Sequence, residues 1–134
     1  MAAMISSRGR YALRVMTDLA SQEPGRLVPL KEIAQRQELS QKYLEAIMST
    51  LSKGGLVEGQ HGKGGGYRLI RPPQAYSLGE ILRLTEGSLA PVACLESGGE
   101  RRCAHPCRTL PVWEKLERLV YDYLDSVTLS DLIP

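Results

Sequence analysis

The stretch from Leu30 to Ile70 constrains the fold more than any other. Leu30, Ile33 and Ala34 mark a brief helix over Leu30 to Gln37, and Glu38-Leu39-Ser40 makes a tight turn. Ser40 is placed to cap the next helix, Gln41 to about Lys53. That helix carries Leu44, Ile47, Met48 and Leu51 on one face and stops at Gly54-Gly55. Two short helices joined by a three-residue turn form the helix-turn-helix pattern. With Leu30 as first position, the fifth is the small Ala34, and the fifteenth and eighteenth are the apolar Leu44 and Ile47. The ninth is Glu38, where many such motifs have Gly. This stretch by itself leaves an ordinary helical hairpin open.

The segment after Gly55 narrows the choice. Leu56 to Gln60 and Tyr67 to Ile70 are strand-like runs around His61-Gly62-Lys63-Gly64-Gly65-Gly66. A hairpin with a basic, glycine-rich tip directly after the second helix makes a winged helix. The glycines permit positive φ and close backbone approach. His61, Lys63 and Arg68 put charge where a wing meets phosphates or a minor groove. A nucleotide-cradling loop does not fit, because no Gly-x-x-x-x-Gly-Lys-Ser/Thr is present and no helix comes after the glycines. A merely flexible hairpin is the remaining alternative.

The flanking segments are helical. Ser7 to Gln22 carries Ala12, Val15, Met16, Leu19 and Ala20 as one apolar stripe, with Arg8, Arg10 and Arg14 near its start. These arginines are either a solvated face or phosphate contacts. Leu27-Val28-Pro29 is a short extended piece. Ser77-Leu-Gly-Glu80 reads as a capping box opening a helix that ends near Gly87. After Cys107 a long helix repeats Trp113, Leu116, Val120, Tyr123 and Val127, widened by Leu119 and Leu124. At 1.5 Å per residue it is about 25 Å long. So much apolar surface exceeds what a small winged helix can cover, which favours helix-on-helix dimerisation over folding back. A last short turn closes the chain at Leu132. The expected fold is mainly α with a small β-hairpin wing: a winged helix-turn-helix plus a long C-terminal dimerisation helix. Residues 1–76 would bind DNA, 77–108 would form a connecting helix and cysteine loop, and 109–134 would dimerise.

Charge does not decide the function class. The net charge is +2 and the pI about 8.5, so a basic surface must come from clustering. With no Phe and one Trp, the core should be Leu, Ile, Val, Ala and Met. No apolar run approaches the roughly 20 residues that span a bilayer, and Met-Ala-Ala-Met-Ile-Ser-Ser-Arg has no long apolar core. A cytoplasmic protein without membrane association is expected. There is no catalytic triad, no paired catalytic carboxylates and no nucleotide loop, so an enzyme is not expected.

All three cysteines, Cys94, Cys103 and Cys107, lie within fourteen positions, with His105 between the last two. An odd number in a reducing compartment argues against a disulfide scaffold and towards metal or redox chemistry. Thiolates are soft ligands that suit an iron–sulfur cluster or zinc. Structural zinc with His105 as fourth ligand, an iron–sulfur cluster and a metal-free switch through Cys103 and Cys107 all remain open. So does a zinc-stabilised module whose winged helix binds protein.

Taken together the chain resembles the Rrf2 family of winged-helix bacterial transcription regulators. The carriers are Ser7-Arg-Gly-Arg-Tyr-Ala-Leu13, Leu39-Ser-Gln-Lys-Tyr-Leu-Glu45, Gly62-Lys-Gly-Gly-Gly-Tyr67, Cys107-Arg-Thr-Leu-Pro-Val-Trp113 and Leu129-Ser-Asp-Leu132. The resemblance implies a homodimer through the long helix on a pseudo-palindromic double-stranded operator, with half-sites about 34 Å apart. It implies recognition helices in major grooves and wings in adjacent minor grooves. By matching position, Ser40, Gln41, Lys42, Tyr43 and Glu45 are the candidate DNA contacts; the charge and glycine pattern read above adds Arg8, Arg10, His61, Gly62, Lys63 and Gly64 as candidates. Glu45 is the position implied to discriminate operator classes; a carboxylate accepts from a cytosine amino group. The resemblance further implies an iron–sulfur cluster, 2Fe–2S or 4Fe–4S, on Cys94, Cys103 and Cys107. Some members instead respond to thiols or an enzyme partner and regulate cysteine metabolism without a cluster. Three departures stand out. His61 occupies a wing position usually held by Arg. The cysteine gaps are eight and three rather than five and five. The family's known fourth-ligand positions hold Leu110 and Arg10.

Overall fold

The computed structural model describes residues 4–91 and 108–134. Helices α1 (Ser7–Ala20), α2 (Leu30–Gln37) and α3 (Gln41–Lys53) precede strands β1 (Val57–Gln60) and β2 (Gly66–Leu69). Helices α4 (Leu78–Glu86) and α5 (Leu110–Ser126) come next, with 3₁₀ turns at Pro73–Ala75 and Leu129–Leu132. This is a winged helix-turn-helix with a long C-terminal helix. α1 ends at Ala20, not Gln22: Ser21 closes the helix by hydrogen bonding back to Thr17 and Asp18.

Local chemistry sets most boundaries. Ser6, Ser40 and Ser77 each accept a hydrogen bond from the backbone of the first turn they cap. Glu38 ends α2 at φ 54° and ψ 46°, the left-handed conformation for which related motifs use Gly. The capping box expected at Ser77 is only half formed. The Glu80 carboxylate turns away to take a bidentate pair from Arg71. A complete box appears instead at Thr128 and Asp131, opening the last turn.

β1 and β2 pair antiparallel, Val57 opposite Leu69 and Gln60 opposite Gly66. The extended piece before α2 joins the far edge. Val28 N donates to Tyr67 O at 2.8 Å and Tyr67 N to Val28 O at 2.9 Å. The wing is thereby tied to the entrance of the helix-turn-helix.

The core gathers Ala12, Val15 and Met16 of α1, Ile33 of α2, and Leu44, Ile47, Met48 and Leu51 of α3. Ile81 of α4 and Leu129 of the last turn complete it. The C-terminal turn thus belongs to the winged-helix core, with Leu129 N donating to Tyr76 O and Leu78 N to Val127 O.

Tyr76 is fully buried and its hydroxyl makes three bonds. It accepts from Ile70 N at 2.9 Å and Arg71 N at 3.1 Å, and donates to Leu56 O at 2.7 Å. The exit of the wing is so fastened to the α3–β1 junction. Tyr76→Phe strands three backbone groups and should cost about 2–3 kcal/mol in chemical denaturation. A loss below about 1 kcal/mol means these groups find water instead.

α5 carries two apolar arcs. Leu124 and the capping Val127 pack against the core, and Trp113 and Val120 are half-buried. Val112, Leu116, Leu119 and Tyr123 are 58%, 37%, 57% and 66% exposed. The stripe read from the sequence therefore straddles both: Leu116 and Tyr123 lie on the outer arc, and Val127 lies beyond the helix, on the body.

Candidate nucleic-acid interface

The candidate surface begins with how α3 is held. Its back face is buried, so Gln41, Lys42 and Glu45 are left exposed on the front. Ser40 is exposed, but its hydroxyl is committed to Tyr43 N at 3.1 Å. Tyr43 is half-buried and meets Tyr11 edge-on at 5.6 Å between ring centroids. These two residues therefore orient the helix as well as flank its face.

α2 is locked to α1 by a buried acid. Asp18 accepts from Arg36 Nε at 3.0 Å, Arg36 Nη2 at 2.8 Å and Gln37 Nε2 at 2.9 Å. Arg14 reaches the Gln37 side chain and carbonyl and stacks over Tyr11 at 5.3 Å. Its guanidinium thus serves packing, whereas Arg8 and Arg10, exposed at the start of α1, form no ion pair among the described residues. The sequence did carry a signal for this clamp: an Asp between the core positions Val15 and Leu19 must find partners when buried.

Arg36 also pairs Glu32 at 2.7 Å, and Arg26 joins Glu32 at 2.8 Å. Hydrogen bonds from Arg26 and then Arg36 hold the Glu32 carboxyl down at about 2. Arg71 and Arg83 likewise lower Glu80 and Asp125. A carboxylate lowered in the folded state stabilises above its unfolded pKa, and that contribution fades as pH falls through the folded value. The thermal midpoint should hold near neutrality and drop from about pH 4.5 towards 2. In calorimetry Glu32→Gln should lower the neutral midpoint, and its difference from wild type should vanish near pH 2. A difference independent of pH means charge is not its origin.

The wing presents His61 and Lys63, both exposed. Gly62 and Gly64 take φ 92° and 81° to turn the tip, closed by Gly65 N donating to Gly62 O at 3.0 Å. Arg68 does not offer the free charge expected of it, because it pairs with Glu58 across the hairpin. Between α3 and the wing runs a cleft of about 520 Å³ bordered by Lys31, Gln41, Glu45, His61, Gly62 and Tyr67. The fold thus brings Gln41 and Glu45 of α3 and His61 and Gly62 of the wing to one cleft, while Ser40, Lys42, Tyr43, Lys63 and Gly64 do not line it. Sequence reasoning did not single out Lys31.

Cys94, Cys103, Cys107 and His105 lie outside the described residues. Among the described residues no group of three His, Cys, Asp or Glu side chains could hold a metal ion. No described helix is long and apolar enough to cross a membrane.

A helix buried on its back face beside a glycine-rich hairpin is the winged helix-turn-helix architecture. The chain belongs to the Rrf2 family, described as "Iron-dependent Transcriptional regulator", which matches residues 5–134. It is similar to the HTH-type transcriptional regulator IscR of Vibrio cholerae, 36% identical over 129 residues, covering 96% of this chain and 74% of that protein. It is also similar to the HTH-type transcriptional regulator CymR of Bacillus subtilis, 39% identical over 128 residues, covering 96% and 88%. The solved structure of CymR, the global cysteine regulator of B. subtilis, superposes with a TM-score of 0.82 at 38% identity, covering 98% of this chain and 96% of that one. T. potens IscR gives 0.76 at 37%, covering 96% and 84%.

Proposed function

We propose that this regulator acts as a homodimer on a pseudo-palindromic DNA operator, with Gln41, Lys42 and Glu45 reading a major groove and His61 to Gly64 entering the adjacent minor groove. The carrying observation is the exposed front of α3, whose Gln41 and Glu45 share one cleft with His61 and Gly62 of the wing, while Lys63 stands exposed beside it. Ser40 and Tyr43 set the angle of the reading helix, and Arg8 and Arg10 add phosphate contacts. Titration of a labelled duplex against salt tests this: affinity should fall with a log–log slope of about −0.9 per neutralised phosphate. Binding indifferent to salt refutes it.

Cys94, Cys103 and Cys107 form the sensing site in this reading, holding an iron–sulfur cluster of the 2Fe–2S or 4Fe–4S type. Three soft thiolates in one short stretch fit such a group, with His105, a partner-chain residue or a small molecule as fourth ligand. A bound cluster supplies iron that responds to oxidants and small ligands. The thiolates, once ligated, fix the segment between α4 and α5 and so bias the spacing of the two recognition helices. Likeness to CymR supports a second reading, in which the same thiols, or an enzyme partner, regulate without a cluster. Anaerobic purification with iron, sulfide and zinc analysis separates them. Iron and sulfide in equal measure support the cluster, zinc alone supports a structural site, and neither, even after reconstitution, supports the thiol switch.

A further inference from the structure

We infer that the cleft between α3 and the wing seats the DNA sugar-phosphate strand that divides the major groove from the minor groove, and that Lys31 is its phosphate contact. The inference rests on the DNA-binding reading and extends it to a residue outside the recognition helix and the wing. If α3 occupies one groove and the wing tip the next, the backbone between those grooves must pass through the space between the two elements. That space is this cleft. Its wall includes an exposed carboxylate, Glu45, which repels phosphate. A cation is therefore needed there, and among the described residues Lys31 is the one Lys or Arg side chain bordering the cleft.

Lys31 is also available. Arg26, Arg36, Arg68, Arg71 and Arg83 are consumed by internal carboxylates. Lys31 is exposed at the first turn of α2 and forms no ion pair among the described residues. The Asp18 clamp fixes α2 on α1, so the lysine starts from a rigid base. A compact ammonium on a flexible stem suits a phosphate, which carries no sequence information.

The test uses the full chain and a labelled duplex of about three helical turns, recovered by selection from a random library, with a scrambled duplex beside it. Lys31→Ala should flatten the salt slope by about 0.9 for each Lys31 that meets a phosphate. It should weaken binding by the same factor on both duplexes. Lys31→Arg should restore the slope. A Lys31→Ala slope equal to a steep wild-type slope overturns the role of Lys31 while leaving DNA binding intact. Weakening confined to the selected duplex also overturns it, since that is base reading. A flat slope in the wild type overturns the DNA-binding reading, and this inference with it.

Discussion

Gly66→Ala lowers folding stability by about 3–5 kcal/mol and frees the wing from the body of the domain. Gly66 opens β2 at φ 148°, a region that L side chains rarely adopt. A Cβ there would lie 2.4 Å from the Val28 carbonyl oxygen and 2.5 Å from its carbon. Both are backbone atoms, so the obstruction cannot rotate away. Relief requires the Val28–Tyr67 bridge to open, which gives up two backbone hydrogen bonds. Backbone strain accounts for about 1–3 kcal/mol and the lost bonds for about 1 kcal/mol each. Gly62→Ala is the control. Gly62 also has positive φ, but nothing lies within 4 Å of its added Cβ, so it bears the conformational cost alone, about 1–2 kcal/mol. Denaturant unfolding of both variants decides the matter. Equal, small losses mean that the Val28 carbonyl moves aside and the wing is held elsewhere.

That contrast also marks how far the sequence could be read. Helix ends were legible because they depend on near neighbours: Ser40 and Ser77 cap, and α2 and α3 fall at Leu30–Gln37 and Gln41–Lys53 as expected. The hairpin was legible because its glycine cluster lies between two strand-like runs. Which glycine is irreplaceable was not, since the reason is an atom 38 residues away, Val28 O against Gly66. The same holds for Tyr76, whose hydroxyl partner Leu56 is 20 positions distant. Charges misled in a related way. Arg14 and Arg68 look like free cations in sequence, yet Gln37 and Glu58 hold them. Glu80 fits a capping box by spacing, but a guanidinium competes better for it than a backbone N–H. The cysteine stretch is the reverse case. Its donor chemistry is plain from residue type alone, while its geometry lies outside the described residues.

On the proposed homodimer, Leu116→Glu with Leu119→Glu should turn dimer into monomer and reduce operator affinity by about 10²–10⁴. Periodicity predicted one apolar stripe on α5, but a helix can have two apolar arcs, and only packing tells which one its own domain covers. The inner arc, through Leu124, meets the core. Arg83 reinforces it by pairing with Asp125 and lying 4.4 Å over the Tyr121 ring, and Tyr121 in turn accepts from Leu89 N at 2.9 Å. Those contacts survive the double substitution, since Leu116 and Leu119 face outwards with Val112 and Tyr123. The monomer should therefore keep its fold, with unfolding midpoint and helical signal close to wild type. Two carboxylates in an apolar seam cannot be buried unpaired, so association is what fails. DNA affinity falls with it because one winged helix makes few contacts. Joining two on one dimer turns the second half-site into an intramolecular event. Sedimentation velocity reads the association state, and titration of a one-half-site and a two-half-site duplex reads the coupling. The double variant should bind both duplexes alike, whereas the wild type should prefer two half-sites. A variant that stays dimeric would show that the outer arc of α5 is not the dimer seam.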